Sequence, residues 1–255
     1  MTLGRESPQT EQKKNIEVVS RVASPLSLVA GGAFASLGES IPANPPSGSF
    51  RLPGTGAATL AELFSHPRDG GWTGFLLPQV DWGRPLLWVQ ERMAILESGR
   101  IYPPGLPSRG LIPHLIHVEA RDARAALWAM EEGLRCAALG AVIGELWGDP
   151  ASLDFTATRR LAVAAERSRV ACWLVRLGGT ANLSGARMRW RVASTPSRPN
   201  SLDARGPGAP AWDAELFRAR GCRPGRWVVT SDSGAFAVVA QSGDRALGEN
   251  ERRSA

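Results

Sequence analysis

After Lys14 the sequence contains no lysine, and every later cationic side chain apart from histidine is an arginine. Chemistry that needs a flexible ammonium, such as Schiff-base formation or a lysine reaching for a phosphate, is therefore excluded from everything beyond Lys14. The three cysteines, Cys136, Cys172 and Cys222, stand far apart with no C-x-x-C spacing. That argues against a disulfide framework and for reduced thiols in a cytoplasmic protein. No apolar run reaches the roughly eighteen residues a membrane helix needs. The N-terminus lacks a basic start joined to an apolar stretch and a cleavage site, so no secretory signal is expected. His66, His114 and His117 have no metal-ligand spacing to cysteines or carboxylates, and G-x-S-x-G is absent. No metal, no cofactor and no serine-hydrolase chemistry are expected.

What is present is a basic chain of 255 residues, formal net charge +6 and pI near 10.2. Arginine enrichment has two readings. One is coding bias without functional meaning. The other is a surface for phosphates or acidic partners, which guanidinium forks suit.

The residues divide the chain into three regions. Residues 1–58 read as a flexible leader and linker, with the Pro-, Gly- and Ser-rich stretches ANPPSGS and LPGTGAA near its end and a short helix around residues 11–22. Residues 15–29 are apolar enough for a docking helix or strand. Residues 59–232 carry the fold. LLWVQ (86–90), LIHV (115–118), AVIGEL (141–146) and VACWLVRL (170–177) are strand candidates. Asp122 is placed to cap a helix running to about Leu139, and Asp154 one running to about Ser168 with Phe155, Leu161 and Ala165 facing inward. Strands and helices alternating at this spacing imply a parallel α/β sheet. ARMRWRVAS (186–194) then alternates strictly, and 211–217 and 226–231 flank the turn GCRPG as an antiparallel hairpin. Residues 233–255 read as one short strand and a disordered tail.

One stretch poses a chemical question. HPRDGGWT (66–73) lies where a nucleotide-binding fold carries its phosphate loop. Against G-x-x-x-x-G-K-[ST], Gly71 and Thr73 fit, with Gly70 beside them. His66 replaces the first glycine and Trp72 the lysine. Arg68 or Arg84 replaces the lysine in charge but not in shape. Pro78 interrupts the helix whose N-terminus would face a phosphate. A bulky indole fits an occupied site better than a triphosphate.

In PLLWVQE (85–91), IYPPGL (101–106), AVIGELWG (141–148), RWRVASTPSRPN (189–200) and GAPAWDAELFRARGCRPGRW (208–227), the chain resembles the ImuA proteins. These are RecA-like accessory factors of bacterial mutagenic translesion synthesis. The resemblance spans roughly residues 60–232 and is most specific from Arg189 to Trp227. It implies a RecA-like core, an α/β fold with a mostly parallel sheet flanked by helices and extended by an antiparallel C-terminal hairpin. It also implies induction by DNA damage and two partners: an inactive Y-family-like polymerase protein (ImuB) and an error-prone polymerase III-type α subunit. A RecA filament and DNA are further candidate partners.

By the same resemblance, Glu145 stands where RecA-like ATPases hold a magnesium-side acid, and Glu91 where they hold the water-activating glutamate. Both carboxylates equally suit loop capping or arginine pairing. The expectation is a degenerate nucleotide site (His66, Gly70, Gly71, Trp72, Thr73, Glu91 and Glu145) without catalytic residues. Residues 177–186 match a DNA-facing loop of such folds. Arg187, Arg189 and Arg191 on one strand face, with Arg218, Arg220, Arg223 and Arg226 at the hairpin, admit three readings: DNA contact, protein contact, or a solvated face paired with acids such as Asp213 and Glu215. The functional alternatives to a non-catalytic adaptor are a DNA-stimulated ATPase with a rearranged loop and a regulatory inhibitor of cell division.

Overall fold

A computed structural model describes residues 16–19, 52–54, 56–106, 115–200, 202–203, 205–232 and 235–241. Most of the leader, His114 and the end of the tail lie outside the described residues.

Ten strands form one sheet: β1 (Ile16–Val19), β2 (Leu60–Ser65), β3 (Leu86–Glu91), β4 (Leu115–Ala120), β5 (Ala141–Trp147), β6 (Ala171–Leu177), β7 (Met188–Thr195), β8 (Ala211–Ala219), β9 (Gly225–Asp232) and β10 (Ala235–Gln241). Their spatial order is β1-β4-β3-β5-β6-β2-β7-β8-β9-β10. From β4 through β7 every pairing is parallel. β8, β9 and β10 extend the sheet in antiparallel fashion, and β1 closes the other end against β4, also antiparallel. This is a RecA-like α/β architecture. Ile16–Val19 is a strand in place of the helix expected around residues 11–22, and its partner is the otherwise open edge of β4.

Among the described residues four helices flank the sheet: α1 (Trp72–Leu76), α2 (Arg92–Ser98), α3 (Ala123–Gly133) and α4 (Phe155–Ser168). Asp122 and Asp154 are their predicted caps: each carboxylate accepts from the backbone N three residues on, Ala125 at 2.8 Å and Ala157 at 2.7 Å. α3 ends at Gly133, short of Leu139, because the chain tightens into turns at Arg135 and Cys136. Phe155 sits at the first position of α4 and is 40% exposed, so it does not join Leu161 and Ala165 on the inner face. α1 stops at Leu76, and Pro78 lies in a short 3-10 turn that follows it.

Two cores lie on opposite faces of the sheet. Beneath α3 and α4 the core is aliphatic, built from Leu, Val, Ala and Met. Gly144 of β5 permits the close approach of α3, since a Cβ there would stand 2.1 Å from Met130 Sδ. Beneath α1 the core is aromatic. Phe75 packs on Trp190 (5.5 Å between centroids) and Phe236 (5.6 Å), and Trp190 packs on Trp227 at 6.1 Å. Such tilted pairs add to the burial of large apolar area. Among the described residues no helix is long and apolar enough to cross a membrane.

Candidate functional site

The chain leaves β2 at Ser65, turns through His66–Gly71 and enters α1 at Trp72. This is the C-terminal end of a central parallel strand, where ligand loops of α/β proteins sit. The loop is folded onto its own side chains. The Asp69 carboxylate accepts from Gly71 N at 2.9 Å, from Ser194 N at 2.7 Å and from Ser194 Oγ at 2.6 Å. Burial alone would push the Asp69 carboxyl up. The bonds from Ser194 and Gly71 outweigh it and hold the group below its ordinary value. Gly70 and Gly71 both keep negative φ, and a Cβ on Gly71 would stand 2.0 Å from Ser194 Oγ. Gly71 is needed for closeness, not for unusual torsion.

The other loop groups are also engaged. Thr73 Oγ1 donates to Gly70 O at 2.9 Å, and Trp212 Nε1 donates to Gly71 O at 2.6 Å. His66, exposed at the loop entrance, accepts through Nδ1 from Arg68 N at 3.2 Å. Trp72 turns inward, 4% exposed, and packs on Trp88 with centroids 6.2 Å apart.

The two carboxylates do not converge. Alternation along β3 sends Trp88 to the aromatic core and Val89 to the aliphatic one. Glu145 accepts from Trp88 Nε1 and from Gln90 Nε2 (3.0 Å). It is 3% exposed with no ion pair among the described residues, and burial pushes its carboxyl up to about 7 against the opposing hydrogen bonds. Gln90 is held in turn, accepting from Ile101 N at 3.1 Å and lying 2.9 Å from His117 Nε2. Glu91 is turned toward the start of α3: it accepts from Trp147 N at 3.0 Å and lies near Asp122. Burial and Asp122 raise its carboxyl above the ordinary value, against the bonds from Trp147 and Ala123.

The arginines separate into three groups. Arg189 is not on a surface. It is 3% exposed and donates to Glu62 Oε2 at 2.6 Å, with its guanidinium over Phe64 (5.2 Å) and Phe217 (5.3 Å). The expected strand face is real, but at this position Glu62, Phe64 and the segment after β6 cover it. Glu62, fully buried, also accepts from Ser184 Oγ at 2.8 Å and lies 3.9 Å from Arg176 Nη1. Arg191 and Arg226 form a ladder across β7, β8 and β9, pairing with Glu215 (3.0 Å) and with Asp213 through Nε (2.8 Å). Arg187 pairs with Glu166 at 2.6 Å, while Arg218, Arg220 and Arg223 are exposed near the hairpin tip. Between the loops leaving β2 and β6 lies a cleft of about 560 Å³, bordered by Ser65, His66, Gly179, Arg191 and Arg226. Trp72, Glu91 and Glu145 do not border it.

Two curated proteins named Protein ImuA, from Caulobacter vibrioides strains NA1000/CB15N and ATCC 19089/CB 15, are each 33% identical to this chain over 179 residues. The matched stretch covers 64% of this chain and 68% of each relative. The chain belongs to the ImuA family. No family model matches it.

In this ImuA-family chain the residues do not fit a nucleoside triphosphate. A triphosphate cradle offers free backbone N–H groups, a lysine and a magnesium-binding hydroxyl. Here Gly71 N–H is bonded to Asp69, the lysine position is a core tryptophan, and the threonine hydroxyl is bonded to a carbonyl. Asp69, Ser194 and Glu62 carry much of this geometry and were not singled out by sequence reading. An aspartate two residues before a glycine is a recognisable turn signal, but nothing in the sequence points from Asp69 to Ser194.

Proposed function

We propose that this protein is a non-catalytic, cytoplasmic RecA-like adaptor in damage-induced, error-prone translesion DNA synthesis. It works with an ImuB-type polymerase-like partner and an error-prone polymerase III-type α subunit, and a RecA filament or DNA is a further partner. Membership of the ImuA family supports this reading. The observation that carries its non-catalytic part is the Asp69 carboxylate bonded to the loop N–H a phosphate would need. In this reading residues 59–232 form the adaptor domain, preceded by a linker and followed by a tail.

Deleting the gene in its native host and scoring damage-induced mutagenesis tests the proposal. Mutagenesis should fall, and a copy carrying Thr73→Ala should restore it, since that hydroxyl has no catalytic duty. A deletion that alters cell filamentation and leaves induced mutagenesis intact would favour the cell-division inhibitor instead.

A further inference from the structure

The N-terminal ends of β2, β6 and β7 lie together, opposite the filled loop. Cys172 N donates to Thr59 O at 3.0 Å, Arg187 N to Leu60 O at 3.0 Å, and Arg220 N to Arg187 O at 2.8 Å. Three elements deliver arginines to this edge: the end of α4 (Arg167, Arg169), the start of β7 (Arg187) and the β8–β9 hairpin (Arg218, Arg220, Arg223). Five of the six are exposed, and Arg187 is half-buried. One carboxylate, Glu166, stands among them; it pairs with Arg187 and is held below its ordinary value by that bond, with Arg220 adding to the effect. Among the described residues the other four, Arg167, Arg169, Arg218 and Arg223, have no ion pair.

Arg169 supplies an independent observation. It ends α4 in the left-handed conformation, φ 58° and ψ 35°, and is the one non-glycine residue with positive φ among those described. Glycine is the ordinary occupant of that position because a Cβ is disfavoured there. An exposed arginine thus stands where the backbone favours glycine, and local backbone strain of this kind clusters at binding sites.

We infer that this edge is a binding surface for the phosphate backbone of nucleic acid. The cluster has no aromatic anchor, and the exposed large hydrophobics nearest to it in sequence are two isolated aliphatic side chains, Val163 and Leu183, each four residues before one of its arginines, Arg167 and Arg187. Protein interfaces are organised around buried aromatic or aliphatic anchors. A surface of guanidinium groups without an aromatic anchor suits phosphate oxygens, which the planar fork meets bidentately. No aromatic ring is exposed at the hairpin for base stacking, so recognition is of backbone rather than sequence. The inference rests on the proposed function in taking DNA as a partner and deepens it by assigning the surface that meets the phosphate backbone; failure to bind DNA would leave the mutagenesis test of the adaptor unaffected.

Fluorescence anisotropy of the full chain with a labelled 30-nucleotide oligothymidine and with a 30-base-pair duplex tests it. Binding should weaken about a hundredfold or more between 50 and 200 mM salt on the single strand, as neutralising five or six phosphates requires. The R218E/R220E/R223E variant should lose at least tenfold at low salt while keeping a wild-type circular dichroism spectrum. R169G removes one cation and relieves the backbone, so it should bind several-fold more weakly yet melt at or above the wild-type temperature. No binding to either oligonucleotide at 50 mM salt overturns the inference. So does unchanged binding by both variants, or displacement of the bound oligonucleotide by poly-glutamate at lower charge concentration than by unlabelled DNA, which would mark an acidic protein partner.

Discussion

Asp69 and Ser194, 125 residues apart in the chain, are joined by two hydrogen bonds onto one carboxylate, from the Ser194 backbone N at 2.7 Å and its hydroxyl at 2.6 Å. They tie the loop after β2 to the far end of β7. The same carboxylate accepts from Gly71 N, so an anion built into the chain sits on the loop.

Asp69→Ala should therefore cost about 1–2 kcal/mol, the scale of charge-assisted hydrogen bonds at a partly exposed site. Urea denaturation reads this as a lower midpoint with an unchanged slope. The variant should gain no nucleotide binding, because Trp72 and the missing lysine remain. Wild-type stability in Asp69→Ala would show that the tether is ornamental.

Glu62 and Arg191 make a contrasting pair. Glu62 is the carboxylate between two guanidinium groups that are each 96% buried or more by side chain. Removing it as Glu62→Ala strands buried positive charge and should cost about 3–5 kcal/mol. Arg191 pairs with Glu215 at an exposed position, so Arg191→Ala should cost about 1 kcal/mol or less. Chemical denaturation of both variants checks the ranking, and equal losses would mean the buried cluster is not the stabilising element assigned here.

Glu145 makes a pH prediction. Its folded carboxyl titrates at about 7, above its ordinary value of 4.5. The folded state therefore holds a proton that the unfolded chain has lost between those two values. This contribution to stability is complete below pH 4.5 and falls as pH rises to about 7, with a slope of at most about 1.4 kcal/mol per pH unit. His117 acts oppositely: burial lowers its folded pKa, so its contribution grows as pH rises toward 6.5. The difference between wild type and Glu145→Gln, measured by thermal melting from pH 5 to pH 8.5, isolates the carboxyl. The gap should shift in favour of Glu145→Gln as pH rises. A pH-independent gap would mean that Glu145 is ionised throughout.

Local patterning made β3 to β7, the two capped helices and the hairpin legible, because capping aspartates and alternation act over a few residues; β1 lies where a helix was expected, and β2 was not among the strands proposed. The order of the strands in the sheet was not legible, since spacing does not say which strands pair. Arg189 illustrates the limit at the site. Alternation places it correctly beside Arg187 and Arg191, but whether that face meets water depends on Glu62 and Ser184, which approach from 127 residues away in the first case and on the crossing segment in the second. Glu91 and Glu145 illustrate it again. Both were read as strand-end acids, yet register puts Glu145 opposite Gln90, inside the sheet on the face of Trp88. Trp72 was readable as a substitution incompatible with phosphate; that its ring would pack at a tilt against Trp88 was not.

The loop position of a nucleotide site is filled from within by Asp69 and closed beneath by Trp72. Calorimetric titration of the full-length protein with magnesium-ATP, with and without single-stranded DNA, tests it most directly. No saturable heat is expected up to about 1 mM nucleotide, an interaction weaker than roughly 4 kcal/mol. Saturable binding with a micromolar Kd would contradict it.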